Sequence, residues 1–581
     1  DLAQSPFLNF LPDARIRATL PMMGHTATER LTPDLARQVC QRASGKAVLS
    51  GSITLIGSQY VIGLDAANCA TGDSIAKEQV TAASKEKVLG ALDSAATKLR
   101  GELGESLASV QKYDTRLEDV TTPSLEALKA YTLGMQKHTQ NDETGALPYF
   151  KHAVELDPNF AMAYARLGVA ASNLSEYDIA RQAAKQAFDL RDRTSERERI
   201  YIQARYYDSV TGDLNKVIDT YQLSIQTYPR EDSAYNNLGG VYLALGQREK
   251  AVSLYQQTIQ IAPDSAHAYS NLARAYLDSD RLAEAKAVCA QALARFPEDP
   301  SIHKDLMEVA FLEGDADGMK KRVDWAIGKP SESEALSFES SVQAHYGHLA
   351  KSQELNHRSI EAARRDGFPT AESLMFFADL EAFLGEPAAA RQDATEALSE
   401  SQGRVVQYGA MTVFAKLGDA ARAESFAEAS AKDMPEATIL NQLWIPNVRA
   451  TIELGRGAPE KAIAALEPTT PYEFSTYGGM LSHYLRGQAY LMEKKGADAA
   501  GEFQKVLDHP GLVGTDAVGP MARLGLARAY VVSAASSTGD QAQAFKSKAR
   551  AAYQDFLALW KDADPDLPAL KQAKAEYAKL Q

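Results

Sequence analysis

The fold is decided by AYNNLGGVYLALGQREKAVSLYQQTIQIAPDS, which runs from Ala234 to Ser265. A second stretch of the same pattern, AYSNLARAYLDSDRLAEAKAVCAQALARFPED, starts at Ala268. Apolar residues three and four positions apart share one face of a helix, so each stretch predicts two consecutive helices. Gly246 allows the turn between them and Pro263 ends the second helix. The recurring residues are Tyr235, Leu238, Tyr242, Ala251 and Pro263, which return as Tyr269, Leu272, Tyr276, Ala285 and Pro297.

A helical hairpin that recurs about every 34 residues with these letters is typical of the tetratricopeptide repeat. The same spacing occurs earlier, in LGMQKHTQNDETGALPYFKHAVELDP (133–158), and continues in weaker form toward the C-terminus. One hairpin cannot bury its apolar face alone, so neighbouring hairpins must stack. We therefore predict a mainly α protein: an α-solenoid of tetratricopeptide-like helix-turn-helix repeats preceded by a small α/β domain.

The N-terminal residues follow a different pattern. KAVLSGSITLIGSQYVIGLDAANCATGDSIAKEQV (46–80) consists of short β-rich runs separated by turn residues, which predicts two successive hairpins. PFLNFL (6–11) has the composition of a further strand, whose supporting elements we expect upstream of Asp1. The predicted organisation is a small α/β domain at 1–112, a linker at 113–124, a repeat array at 125–330, and degenerate repeats with a C-terminal cap at 331–581.

The composition excludes two classes of partner. The formal net charge is −14 and the pI is about 5.4, so the chain lacks the basic surface that nucleic-acid binding requires. No apolar run reaches the roughly 18 residues of a membrane helix, and we expect no membrane insertion by this chain. The chain opens on Asp1 without the basic segment of a secretory signal, which predicts a piece of a longer protein or a processed product.

The sequence contains no motif for catalysis or for a cofactor. H-E-x-x-H, G-x-S-x-G and the phosphate-binding loop G-x-x-x-x-G-K-[ST] are all absent. His345 and His348 lie three positions apart, but no acidic residue or cysteine accompanies them at the spacing of metal ligands. We therefore expect no enzyme activity, no cofactor and no metal site.

The candidate binding site lies on the first helices of the two clearest repeats. First-helix residues that are not used for stacking line a groove in such arrays, and their amides suit an extended peptide backbone because each offers a donor and an acceptor. Arg274 could hold a carboxylate through two hydrogen bonds. The alternative is that these side chains are solvated or bond to one another between repeats. The groove residues are Asn236, Asn237, His267, Ser270, Asn271 and Arg274.

The three cysteines carry no metal or redox spacing. Cys289 occupies a position where the repeat favours a small apolar side chain, which predicts a packing role. Cys40 and Cys69 could form a disulfide if the chain is extracytoplasmic, although their sequence separation does not establish that they meet.

The chain resembles the C-terminal sensor region of bacterial eukaryotic-like serine/threonine protein kinases that carry tetratricopeptide repeats. The matching segments include SPFLNFLPDARIRATL (5–20), AVLSGSITLIGSQYVIGLDAANCATGD (47–73), KEQVTAASKE (77–86) and ARAAYQDFLALWKDADPDLPALKQAKAEYAKLQ (549–581). The resemblance implies that a kinase domain and one membrane helix precede this region, which then lies outside the membrane. It also makes the small domain similar to the α/β module of periplasmic TolB-type proteins. The kinase motifs G-x-G-x-x-G, H-R-D and D-F-G are absent, so we expect no phosphate transfer by this chain alone.

Three functional hypotheses follow. The first is a non-catalytic module that binds a protein or peptide, in the periplasm or another extracytoplasmic compartment, and relays occupancy to an attached effector. The cytoplasm is the alternative location. The second hypothesis is a structural scaffold that self-assembles without a peptide ligand. The third, an enzyme site in the α/β domain, would require a deep pocket with strongly perturbed titratable groups.

Overall fold

The computed structural model describes residues 2–11, 13–26, 29–115, 122–138, 142–174 and 176–581. The chain divides into two compact units, and the division falls among the strongest repeats. Unit 1 comprises Asp1–Val210, Asn215–Tyr235 and Thr258–Ser265, and unit 2 comprises Thr211–Leu214, Asn236–Gln257 and Ala266–Gln581. The domain boundaries predicted from composition stay predictions.

Unit 1 contains the predicted small sheet. Its strands pair antiparallel in the order β1-β2-β3, as two successive hairpins. On β2, Ile62, Leu64 and Ala66 are buried on alternate positions and face α3, which covers them with small and aliphatic side chains. The elements are β1 (Ala47–Ile56), β2 (Gln59–Asn68), β3 (Ser74–Ala82), α1 (Asp13–Thr19), α2 (Pro33–Arg42), α3 (Val88–Glu102) and α4 (Leu107–Tyr113).

The prediction of a strand at PFLNFL (6–11) is wrong. These residues form bends and irregular backbone, and the side chains of Phe7 and Phe10 are exposed. A strand needs a neighbour to pair its backbone amides and carbonyls, and no strand of the described chain pairs with this segment. Apolar composition alone therefore does not make it a strand.

A disulfide joins α2 to the sheet. Cys40 near the end of α2 is bonded to Cys69 just after β2, and their Cα atoms are 5.9 Å apart. The side-chain amide of Gln41 donates to the carbonyl of Cys69 over 2.6 Å. Because the hairpin of β2 and β3 is tied to α2 at this point, the bond restricts the separation of helix and sheet on unfolding.

A buried ion-pair network closes the other end of α3. The side chains of Arg100 and Glu105 have no solvent exposure and form two hydrogen bonds of 2.9 and 3.0 Å. Arg100 also donates to Asp114 over 2.9 Å. Burial raises the pKa of Glu105, but hydrogen bonds from Arg100, Ser5 and Ser109 and the charge of Arg100 outweigh it and lower that pKa below its ordinary value. The carboxylate is therefore ionised and paired.

From residue 125 onward the described chain is helical, which confirms the predicted helical repeat solenoid. Up to residue 261 the helices are α5 (Leu125–His138), α6 (Glu143–Leu156), α7 (Ala161–Asn173), α8 (Tyr177–Asp189), α9 (Glu196–Tyr206), α10 (Leu214–Thr227), α11 (Asp232–Ala244) and α12 (Arg248–Ile261). They continue as α13 (Ala266–Asp278), α14 (Leu282–Arg295), α15 (Pro300–Glu313), α16 (Ala316–Ala326), α17 (Glu332–His345), α18 (Leu349–Arg365), α19 (Ala371–Leu384), α20 (Pro387–Glu400), α21 (Arg404–Lys416) and α22 (Ala420–Asp433). The last helices are α23 (Ile445–Gly455), α24 (Pro459–Ala465), α25 (Gly479–Met492), α26 (Gly496–Leu507), α27 (Pro510–Val513), α28 (Val518–Ala535), α29 (Gly539–Leu559) and α30 (Pro568–Ala578).

In several repeats the two helices fit together through an aromatic ring and a glycine. We call the first helix of a repeat the A helix and the second the B helix. The ring of Tyr255 on the B helix α12 lies against Gly239 on the A helix α11, where an added Cβ would come within 2.7 Å of it. Phe150 faces Gly134 in the same way. The aromatic side chain of the B helix therefore fills the space between the two helices, and it fits there because the facing residue of the A helix is glycine.

None of the described helices combines the length and the apolar character that crossing a bilayer requires.

Candidate functional site

The repeat period places residues at equivalent positions of three A helices, α11, α13 and α15. One position carries Asn237, Asn271 and Asp305 in turn. Another position, one helical turn further along each helix, carries Gly240, Arg274 and Glu308. We call the polar side chains of this surface the polar ladder, which consists of Asn236, Asn237, Ser270, Asn271, Arg274, Asp305 and Glu308.

The predicted groove amides bond to one another. The Nδ2 group of Asn271 donates to Oδ1 of Asn236 over 2.8 Å, and Nδ2 of Asn236 donates to Oδ1 of Asn237 over 3.3 Å. All three side chains are half-buried. An amide that uses one donor and one acceptor internally still has capacity for a ligand, because each side chain has two donor hydrogens and two acceptor lone pairs. The amides of Asn236 and Asn271 thus link two neighbouring repeats.

Arg274 is paired with carboxylates of this chain. Its Nη1 group donates to Glu308, and its Nε lies 3.1 Å from Oδ1 of Asp278. Burial lowers the pKa of Arg274, but the charges of Glu308 and Asp278 outweigh it and raise that pKa above its ordinary value. The side chain remains 40% exposed. The guanidinium is therefore oriented by its partners while part of it still faces solvent.

Two buried carboxyl groups adjoin Arg274. Asp278 has no solvent exposure and Asp305 is 6% exposed. Burial is the main reason that the pKa of each rises to about 7, and the nearby charge of Glu308 raises both further. A hydrogen bond from Ser270 to Asp305 and the charge of Arg274 act in the opposite direction. Near neutral pH these two groups therefore gain and lose protons.

The stability of unit 2 is expected to rise as the pH falls from about 8 toward 5, and Asp305→Asn should remove about 1–2 kcal/mol of that rise. The folded-state pKa of Asp305, about 7, lies above its ordinary value of 3.8. Between these values the folded chain holds a proton that the unfolded chain has lost, so the stabilisation is full at low pH and disappears as the pH passes 7. Urea midpoints read by tryptophan fluorescence at several pH values measure this slope. If stability changed with pH equally in the parent chain and in Asp305→Asn, the result would contradict the raised pKa of Asp305.

His267, a predicted groove residue, is not a member of the polar ladder, and the rings of His303 and Trp444 serve packing. His267 is exposed on the first turn of α13. His303 stacks on Trp325 at 3.4 Å between ring centroids, and its Nε2 lies 2.8 Å from the carbonyl of Pro297. Trp444 packs between aromatic neighbours and donates its indole N–H to the carbonyl of Tyr477. Each of the rings of His303 and Trp444 therefore has a structural contact.

Cys289 and His345 are both buried in the packing of the helices. Cys289 is 1% exposed, and burial raises the pKa of its thiol to about 12. His345 is packed against Phe311 and Tyr346, and burial lowers its pKa to about 4. In the part of the chain that the structure describes, no three histidine, cysteine or carboxylate side chains are grouped as metal ligands.

The sequence interpretation missed Asp278, Asp305 and Glu308. A signal for two of them was available, because Asp305 and Glu308 follow Asn271 and Arg274 by one repeat period. Extending the period by one more hairpin adds them to the same surface. Asp278 could not be predicted in this way. It lies at the end of an A helix, a position that would be exposed in an isolated hairpin, so the sequence gives no indication that its carboxyl group is buried.

Comparison with known protein families supports the repeat assignment. Models of the tetratricopeptide repeat match residues 242–309 and 149–182. No curated protein matches the chain. Similar solved structures include MamA, with 25% identity over 30% of this chain and 93% of MamA and a TM-score of 0.21. Others are the type IV pilus biogenesis factor PilW (19%, 35% of this chain, 93% of PilW, TM-score 0.28) and a tetratricopeptide-repeat protein of Thermus thermophilus (24%, 30% of this chain, 94% of that chain, TM-score 0.27).

The chain therefore contains tetratricopeptide repeats, a class of stacked helical hairpins that serves as a scaffold for protein interaction.

Proposed function

We propose that this chain is a non-catalytic module that binds a protein or peptide along the polar ladder. The observation that carries the proposal is a polar side chain at the same position of three consecutive A helices, Asn237 on α11, Asn271 on α13 and Asp305 on α15, beside the paired Arg274 and Glu308. Such a row offers donors and acceptors at repeated intervals, which suits the backbone of an extended polypeptide. Its preformed hydrogen bonds hold the side chains in place before a ligand arrives, which reduces the entropic cost of binding.

The proposed location is extracytoplasmic, as the sensor part of a serine/threonine kinase signalling protein. The disulfide between Cys40 and Cys69 supports this location, because disulfides persist in oxidising compartments and are rare in the cytoplasm. The resemblance to kinase-linked sensor regions supports the connection to a kinase. In this proposal the occupied repeats report the presence of a partner to an effector attached to the same protein.

The test is a selection of displayed random peptides against the purified chain, followed by measurement of Kd for the selected peptides by fluorescence anisotropy. The double variant Asn237→Ala/Asn271→Ala removes two amides of the polar ladder, and we expect it to weaken binding by about tenfold or more. Gln291→Ala is the matched control, because it removes an exposed amide from the B helix α14. We expect no change in Kd for this control.

Thermal unfolding of each variant separates loss of binding from loss of folding. Equal Kd values for the double variant and the control would remove the polar ladder as the binding site. Failure to select any peptide, together with a mass that rises with concentration in light scattering, would favour the self-assembling scaffold instead.

A further inference from the structure

In unit 2, turns that follow A helices meet loops that come far later in the chain. The amide of Thr438 donates to the carbonyl of Gly212 over 2.9 Å. The amide of Thr476 donates to the carbonyl of Leu243 over 3.4 Å. Each later loop immediately precedes an A helix, so the edge of a later repeat rests on the edge of an earlier one.

The contacts are densest around Asp280, at the turn after α13. Its Oδ1 accepts a hydrogen bond of 2.9 Å from the amide of Gly511, and its Oδ2 lies 2.7 Å from Nδ1 of His509. One repeat earlier, the guanidinium of Arg248 lies 5.2 Å from the ring centroid of Phe474. A side-chain hydrogen bond, a hydrogen bond from a backbone amide and a cation–π contact therefore join the same two edges.

The same arrangement continues near the C-terminus. The amide of Asp564 donates to the carbonyl of Gly347 over 2.9 Å, and the indole N–H of Trp560 donates to the carbonyl of His345 over 3.0 Å. We call the whole set of contacts the seam. It joins Gly212, Leu243–Arg248, Leu277–Asp280 and His345–Ala350 to residues 437–438, 474–476, 509–511 and 560–564.

Glycine is required at the seam for a reason beyond the turn itself. Gly246 has φ +71°, and a Cβ there would lie 2.8 Å from the carbonyl carbon of Phe474. A Cβ at Gly511 would lie 1.9 Å from the carbonyl oxygen of Leu277, although the backbone of Gly511 is not left-handed. Gly418 ends the A helix α21 with φ +75° and would meet nothing within 4 Å. A left-handed glycine therefore ends an A helix both where the turn contacts the seam, as at Gly246, and where it does not, as at Gly418.

The seam reaches the polar ladder. A Cβ at Gly514, directly after α27, would lie 3.4 Å from Oε1 of Glu308, the carboxylate that pairs with Arg274. The side chain of Glu308 is only 7% exposed. The segment His509–Gly514 therefore bonds to Asp280 at one end and lies beside Glu308 at the other, on one side of the ladder.

We propose that the seam is a conformational latch that controls access to the polar ladder. While it is closed, His509–Gly514 shields Glu308. When it opens, the segment leaves and Glu308 becomes accessible beside Arg274, which is already partly exposed. Opening of this kind is a local event whose free energy lies below that of global unfolding. The latch requires no ligand, so its failure in a test would leave the proposed binding function standing.

The test uses a reporter thiol, Glu308→Cys, in a Cys289→Ala background that has no other free cysteine. Gly511→Ala is expected to raise the rate of maleimide labelling at the reporter by about tenfold or more, because the new Cβ forces the segment away from Leu277. Gly246→Ala is expected to act in the same direction. Gly418→Ala carries the same backbone strain as Gly246→Ala but touches no seam residue, and it should leave the rate unchanged.

Circular dichroism confirms that each variant is folded, and hydrogen exchange in the chain without the reporter or glycine substitutions provides a second readout. The latch predicts that the amides of Thr476 and Gly511 exchange together and faster than the amides inside α13. Equal labelling rates in all variants would overturn the proposal, as would Gly418→Ala acting like Gly246→Ala. Exchange of the seam amides only with global unfolding would overturn it as well.

Discussion

Replacement of Phe503 by alanine is expected to lower the free energy of unfolding of unit 2 by about 3–5 kcal/mol. The ring is completely buried, and it fills the space between Gly487 on α25 and Gly525 on α28. A Cβ at either glycine would come within 2.8 Å of the ring. Since both glycines leave room only for this ring, its removal creates a cavity that the adjacent helices cannot close without backbone movement.

Urea unfolding followed by tryptophan fluorescence measures this loss, because Trp325, Trp444 and Trp560 all lie in unit 2. The matched control is Phe376→Ala on the A helix α19, whose side chain is 52% exposed. We expect the control to cost about 1 kcal/mol or less. Similar losses for the two phenylalanines would show that the ring of Phe503 is not the filler between the repeats.

Glu105→Ala is expected to destabilise unit 1 by about 3–5 kcal/mol, because it leaves the guanidinium of Arg100 buried without its bidentate partner. Both side chains are fully buried, and the partly exposed carboxylate of Asp114 and the carbonyl of Tyr113 remain as acceptors. Replacement of both partners, in Arg100→Met/Glu105→Ala, should recover much of the loss, since no fully buried charge is then left unpaired and Asp114, which is partly exposed, keeps its hydrogen bond from Thr97. The hydrogen-exchange rates of the amides in β1, β2 and β3 measure the stability of unit 1.

The same pair predicts a pH dependence of opposite sign to that of Asp305. The pKa of Glu105 lies below its ordinary value of 4.5 in the folded chain. Its stabilisation is therefore present above that value and is lost as the pH falls through the folded-state pKa. Glu102→Ala, which removes an exposed carboxylate at the end of α3, is the control and should keep the acid-sensitive component. A loss of that component in the control would contradict the role of Glu105.

The repeat was predictable because its signal is local. Tyr235, Leu238 and Tyr242 are spaced for one helix face, and all three are buried on α11. The two N-terminal hairpins were predictable for the same reason, since alternation and turn residues lie within one short stretch. These features depend on contacts between residues close in sequence, so their pattern can be recognised in a single sequence.

The features that could not be predicted from the sequence depend on contacts between distant parts of the chain. PFLNFL has the composition of a strand but lacks a partner in the described chain, and pairing is not visible in composition. Asp280 meets His509 from a distant part of the chain, so nothing near either residue indicates the contact. Gly246 was interpreted as a turn residue, and its second role against Phe474 is visible only in three dimensions. Long-range contacts of this kind are set by how the repeats stack.

The most direct test of binding through the polar ladder is a hydrogen-exchange footprint of the chain with a selected peptide bound. The account predicts slower exchange in the A helices α11, α13 and α15 when the peptide is present, with little change in the B helix α14. Slower exchange confined to α14 or to the N-terminal sheet, with α13 and α15 unchanged, would contradict it.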